Sequence, residues 1–350
     1  MIPYWIMYLL PAGAALLKDR SQLRRINGGW VILWLVLTLL IGYRFEVGGD
    51  WGNYLRHYHD IYYLSLPEAL KHGDPGHGLL NWISSRQEWG VFGTNLVYGA
   101  VFSFGLIAFC RYQPRPLLAL AVAVPYLVIV VAMGYSRQGV AIGIAMLGFI
   151  ALAQRKTLKF VLLIGLAALF HKSAVILLPI AIMTNMLRKR VLTTLWVAGT
   201  AGLMYLLYLA ESADNLIQNY VVAEYGSEGA LIRVMMNALP AFLFLVYRRR
   251  FKLQAEEKAL WTWMSFMALV FVLLLMVSPS STAVDRVALY FIPLQLYVFS
   301  RLPDVLGGGQ HRIMVRFMVV SYYAAVLFVW LNYAHHSQYW VPYQFYPFVN

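Results

Sequence analysis

The chain has one cysteine in 350 residues, few charged residues and far fewer acids than bases. The lone thiol, Cys110, ends an apolar run, which excludes a disulfide framework and a thiolate metal site. Charged residues make up 12% of the chain against 61% hydrophobic ones, and the mean hydropathy is +0.64. That balance is too apolar for a water-soluble domain. No phosphate-binding P-loop and no serine nucleophile elbow occurs in the sequence. The histidines lack zinc-site spacing: His57 and His59 are two apart, and His335 and His336 are adjacent. No metal and no cofactor is expected, and no fixed-period or inverted repeat is visible.

Apolar runs recur along the whole length, broken by short polar joints. Such a chain is an all-α, polytopic membrane protein, because only helices satisfy their own backbone groups in lipid. Twelve spans are expected, at 2–17, 28–43, 91–110, 116–133, 137–153, 157–171, 173–187, 191–209, 230–247, 259–278, 286–300 and 313–332. The pair around His171 and Lys172 also reads as a broken or re-entrant element. Residues 1–350 thus form one transmembrane domain. Its outer parts are a large loop at 44–90 with interfacial helices, a second loop at 210–229 and an aromatic tail at 333–350.

Charge sorts the joints. The alternate set that reads as cytoplasmic holds 20 of the 28 basic residues and four acids, Asp19, Glu256, Glu257 and Asp304. The other set holds eight basic residues and eleven acids, so the two faces carry +16 and −3. The positive-inside rule then places both termini outside, with the first run a permanent span and not a cleaved signal. A net +13 distributed this way is topogenic and argues against a nucleic-acid partner. Arg44, Arg137, Lys172, Arg233 and Arg286 are exceptions, cations at outward-facing span ends where topology has no use for them. Charges so placed serve a substrate, an ion or a partner, and an anionic ligand is the first expectation.

Each exception has a context with two readings. After Arg44 come Gly48, Gly49 and Asp50, then a helix face of Tyr54, His57, Tyr58 and Ile61. This is either a capped interfacial helix with a local Arg44–Asp50 pair or a charged pair beside an aromatic ligand shelf. Asp74-Pro75-Gly76 reads as a turn. Ser136 can cap the fifth span, and Arg137 with Gln138 and free amides could bind phosphate, or Arg137 could simply snorkel. His171 is a candidate base or phosphate donor, kept neutral by Lys172. Arg233 lies a turn inside its span, where it is costly without a partner. Asp285 and Arg286 form either a self-contained pair or part of a site with Tyr290.

In this order these residues resemble the EpsG family of Wzy-like bacterial polysaccharide polymerases. The matching features are Arg44…Gly49-Asp50…Tyr54, Asp74-Pro75-Gly76, Arg137-Gln138 with Ala141, His171 with Ser173, Asp285-Arg286 with Tyr290, and Pro342-Tyr343. The family often carries Glu where Asp74 stands. The resemblance implies a membrane glycosyltransferase of the bacterial inner membrane. It would join oligosaccharide units carried on undecaprenyl pyrophosphate, on the outer face, for O-antigen, exopolysaccharide or capsule. A chain-length regulator and a flippase are the expected protein partners, alongside membrane lipids. His171 or Asp50 would take the attacking hydroxyl's proton. Arg137, Arg233 and Arg286 would clamp the pyrophosphate, with Gln138, Lys172, Tyr54, Asp285 and Tyr290 around them and Arg44 as a secondary contact. A flippase of lipid-linked sugars and a polysaccharide O-acyltransferase are the rival functions.

Overall fold

The computed structural model describes residues 1–17, 26–184, 229–278 and 281–349, with isolated positions between 191 and 202. The expected span at 191–209 and the loop at 210–229 lie almost wholly outside the described residues, as do Lys18 to Arg25 and Arg188 to Arg190. The chain opens with α1 (Ile2–Leu17) and α2 (Gly28–Gly42), followed by three short helices, α3 (Trp51–Tyr62), α4 (Leu66–Lys71) and α5 (Pro75–Arg86). Among the described residues, five of the helices that follow are long and apolar enough to cross a membrane. They are α6 (Gly90–Tyr112), α8 (Ser136–Ala153), α11 (Ala230–Tyr247), α12 (Ala255–Val277) and α15 (Gln310–Tyr333). Shorter helices lie between them: α7 (Pro116–Ala123), continued as a π-helical stretch to Ala132, α9 (Thr157–Ala168), α10 (Leu178–Thr184), α13 (Ser281–Ala288) and α14 (Ile292–Leu306).

Lipid tails are as apolar as leucine, so close packing and internal hydrogen bonds hold such helices together more than burial does. α6 and α8 touch backbone to backbone, since a Cβ added at Gly105 would lie 2.0 Å from the Gly143 carbonyl oxygen. Farther along the chain, three helices share a polar thread. Gln295 of α14 donates to Asn237 of α11 at 2.7 Å, and the Tyr323 hydroxyl of α15 donates to Gln295 at 2.7 Å.

α8 connects two charged ends of the bundle. It has Arg137 in its first turn, and Arg155 lies just past its last; 18 residues of α-helix span about 27 Å. Six ion pairs among the described residues each stay within one end. Arg115–Asp304, Arg312–Asp304, Arg155–Glu256 and Arg301–Glu257 lie at one, and Arg137–Asp74 and Arg233–Asp285 at the other. These are the same two sets into which charge divides the sequence.

Four local expectations change. Pro75 starts α5 instead of making a turn, because its fixed φ and missing N–H suit a first helical position. Ser136 lies inside the first turn of α8 and Tyr135 takes the cap position, leaving the Ser136 hydroxyl free for Arg44. Asp50 does occupy the cap of α3, but its side chain makes no capping bond. The run at 286–300 is divided, with α13 and a 3-10 turn (Leu289–Phe291) before α14, so Asp285 and Arg286 precede that span.

The tail folds back over this end. Gln344–Phe345 pairs antiparallel with Arg44–Phe45, the one sheet among the described residues. Trp340 is buried and donates from its indole to the Ile129 carbonyl at 2.8 Å. Gly48 donates its N–H to the Tyr339 carbonyl at φ +103°, and a Cβ there would lie 2.6 Å from the Met133 carbonyl oxygen. Only glycine fits both demands.

Candidate functional site

Four consecutive residues at the start of α8 each meet a different part of the chain. The Tyr135 ring lies under the Arg286 guanidinium, 4.1 Å from centroid to Cζ. Ser136 accepts from Arg44 Nη2 at 2.6 Å. Arg137 Nη1 is 3.0 Å from Asp74 Oδ2. Gln138 donates to the Arg286 carbonyl. Tyr54 of α3 lies against this turn as well, its buried hydroxyl within the influence of the Arg137 charge and backbone N–H. The start of α8 is therefore the hub that gathers α2, α3, α5 and α13.

A second set closes the circle. α9 ends at Ala168, and the 3-10 helix Lys172–Leu177 follows, with His171 between them in extended conformation. This is the break expected around His171 and Lys172. His171 Nδ1 lies 2.6 Å from Ser173 Oγ and 3.3 Å from the Tyr290 hydroxyl. The Lys172 backbone N–H donates to Asp74 Oδ1 at 3.3 Å. Asp74 thus holds Arg137 with one oxygen and the His171 turn with the other. Tyr290 lies one helical turn beyond Arg286, so one short segment reaches both Tyr135 and His171.

Electrostatics separates the candidates. Burial, then Arg137 and Arg286, then Lys172, push the His171 pKa down to about 3. The ring is neutral, as expected, but Lys172 is the least of the three cations responsible. Burial also raises the Asp74 carboxyl, against the pull of Arg137 and the Lys172 N–H. His77, buried beside Tyr98 at 2.7 Å from Nδ1 to hydroxyl, is held neutral by desolvation.

The five exceptional cations do not behave alike. Arg44 has no exposed surface: its guanidinium donates to the carbonyls of Ile41 (2.6 Å) and Val47 (3.2 Å), to Asn95 (3.4 Å) and to Ser136. It ties α2 to α6 and α8, and the expected Arg44–Asp50 pair gives way to these partners. Arg233 is held by Asp285 through two bonds of 2.7 and 2.8 Å, a bidentate fork. Asp285 therefore pairs with Arg233 and not with its neighbour Arg286. Arg286 has no carboxylate at ion-pair distance among the described residues. The Arg137 side chain stays 30% exposed despite its pair, so a ligand can reach it. Asp50 is half-buried, its charge within reach of Tyr54, Tyr135 and Arg137.

Beside this site runs an apolar cavity of about 550 Å³ between α11 and α15. Arg233 and Tyr135 stand in its wall with Tyr126, Met236, Trp330 and Trp340. Asp74 entered the sequence reading through the family resemblance and as part of a turn, with no site role assigned to it. Its signal was the acid that the family carries at that position. Ser173 likewise entered only as a matching feature beside His171, and Tyr135, next to Ser136, was given no role.

The sequence matches the EpsG family over residues 29–345. No curated protein and no solved structure gives a match.

Proposed function

Since the chain belongs to the EpsG family of polysaccharide-polymerase-type membrane proteins, we propose that it joins oligosaccharide units carried on undecaprenyl pyrophosphate. The site would lie on the outer face of the bacterial inner membrane, with both chain termini on that side. The observation that carries this reading is the set Arg137, Arg286 and Arg233 beside an apolar cavity. A polyprenyl pyrophosphate has the same two halves, an anion and a long hydrocarbon. Arg137 and Arg286 take the pyrophosphate, while Arg233, already neutralised by Asp285, orients it at the cavity mouth. The polyprenyl chain lies along the cavity between α11 and α15.

The hydroxyl of one lipid-linked unit attacks the anomeric carbon of another. The new glycosidic bond forms as the bond to pyrophosphate breaks, and the hydroxyl proton leaves to a carboxylate. The leaving group already carries its charge, so arginines stabilise it without a protonating acid. A pKa near 3 makes His171 a poor proton acceptor. We assign it instead the donor role, with Nδ1 accepting from Ser173 and Nε2–H directed to a phosphate or sugar oxygen. Asp50, unused in capping, is the proton acceptor in this scheme.

The deciding experiment incubates purified protein with one defined lipid-linked repeat unit. A ladder of lengthened products is expected. Movement of intact units across a vesicle bilayer without lengthening would replace this reading with a flippase. Transfer of acyl groups at unchanged chain length would replace it with an O-acyltransferase.

A further inference from the structure

The chain between α2 and α6 carries a histidine–aspartate cluster that the site above does not use. His57 and Asp60 are three apart on α3 and share one helix face. His72 caps the end of α4, so its ring comes from a different element. The ligand atoms of the three side chains lie within 4.8 Å of one another. The two imidazoles meet edge to face, 5.5 Å between centroids, with both residues half-buried and Asp60 exposed.

A second observation points to a ligand. Nδ1 of His57 and Nδ1 of His72 are both shielded from solvent and lack a hydrogen-bond partner among the described residues. Buried ring nitrogens are seldom without a partner, and an ion or a water is the usual one. By contrast His77, 5.5 Å from His57 between centroids, has Tyr98 and Asn81 on its ring nitrogens and is already satisfied.

We propose that His57, Asp60 and His72 form a binding site for a divalent transition metal, zinc above all. Two imidazoles and one carboxylate suit zinc and its neighbours, whereas magnesium and calcium prefer all-oxygen sites. Zinc bonds of about 2.0–2.2 Å set ligand atoms about 3.3 Å apart, so the cluster closes by rotation of the exposed Asp60 side chain. Three protein ligands leave the fourth position to water. The metal would staple the end of α4 to α3, fixing the chain two residues before Asp74 and three residues after Tyr54. Its part is positional: Tyr54 and Asp74 are held in place through the neighbouring chain and do not bind the metal. Local spacing hides the site, because His72 joins the pair only through the α3–α4 turn.

The test uses untagged full-length protein in nanodiscs, stripped with chelator and dialysed against zinc chloride. Bound metal is measured by mass spectrometry and thermal unfolding is followed with and without zinc. About one zinc per chain is expected, with a rise in unfolding temperature that magnesium chloride does not reproduce. His72→Gln and Asp60→Asn, which keep size and polarity, should each lose that equivalent and the thermal shift while unfolding normally without metal. Wild-type protein that binds no stoichiometric zinc, or a His72→Gln/Asp60→Asn double variant that keeps it, overturns the site. No lipid-linked substrate enters these measurements, so the outcome is independent of the polymerase reading.

Discussion

At the Arg155 end of the bundle, four arginines meet three carboxylates in helix-to-helix pairs that touch solvent in varying degree. At the Arg137 end, arginines meet backbone carbonyls, a tyrosine ring and two largely buried acids. The first arrangement is what partly solvated charge looks like once it has found counter-ions. The second spends buried hydrogen-bonding groups on holding cations in fixed positions, and it leaves Arg286 over a ring and Arg137 partly open. Preorganised positive charge beside an apolar cavity is what binding a lipid-linked anion requires. The contrast predicts that equivalent substitutions at the two ends have unequal effects.

The largest effect belongs to Arg137→Ala. Removing one charged donor from a preorganised site costs about 10²–10³-fold in rate. The ladder of lengthened products should shrink by that order while the protein remains in the membrane. Arg137→Lys should recover little, since an ammonium cannot reproduce a planar guanidinium held against Asp74. A ladder from Arg137→Ala close to wild type would remove Arg137 from the site.

Asp74→Asn comes next, and it acts on stability as well as activity. The change keeps an acceptor for the Lys172 N–H but leaves Arg137 without its carboxylate. Breaking a buried pair costs about 3–5 kcal/mol, and the partial exposure of Arg137 brings this toward or below the lower figure. A clear drop in unfolding temperature together with loss of product is expected. An unchanged melting curve would mean that Asp74 does not organise the hub.

Part of this arrangement was legible in the sequence. The helices over 2–17, 28–42, 90–112, 136–153 and 230–247 follow directly from uninterrupted apolar runs bounded by charge or glycine. The grouping of Arg137, His171, Arg286 and Tyr290 was expected because all sit at ends of the same parity. Partner choice was not legible. Asp285 looks bonded to Arg286, yet neighbours on a helix point about 100° apart, so Arg233, 52 positions away, takes it. Arg44 looks bonded to Asp50, but the turn at Gly48 carries that chain past Met133, and Ser136 is the nearer partner. Such choices depend on helix packing, which local pattern does not encode.

A smaller effect concerns His171 and acid. Its folded pKa is about 3, while an unfolded histidine titrates near 6.5. Between those values the unfolded chain binds a proton that the folded one refuses, so stability is full above pH 6.5 and falls as pH drops. The slope reaches about 1.4 kcal/mol per pH unit once the unfolded histidine is protonated. His171→Asn should therefore lose less stability than wild type between pH 6.5 and 4.5, a difference readable in parallel melting curves. Identical pH profiles would show that His171 is not held neutral by the fold.

The smallest effect is expected at the opposite end, for Arg155→Ala. Arg155 Nη2 lies 2.9 Å from Glu256, but the arginine side chain is 63% exposed and the glutamate 24%. Water screens such a pair and both long side chains give up rotamer freedom to form it, so its worth is about 0.2–1 kcal/mol. The same short distance thus predicts opposite outcomes at the two ends of α8: a shift of a degree or two with full product length here, and loss of polymer at Arg137. Insertion should survive too, because Lys156 and Lys159 keep the joint positive. If Arg155→Ala shortened the product as severely as Arg137→Ala, the proposed division between a charged end that sets topology and one that does chemistry would fail.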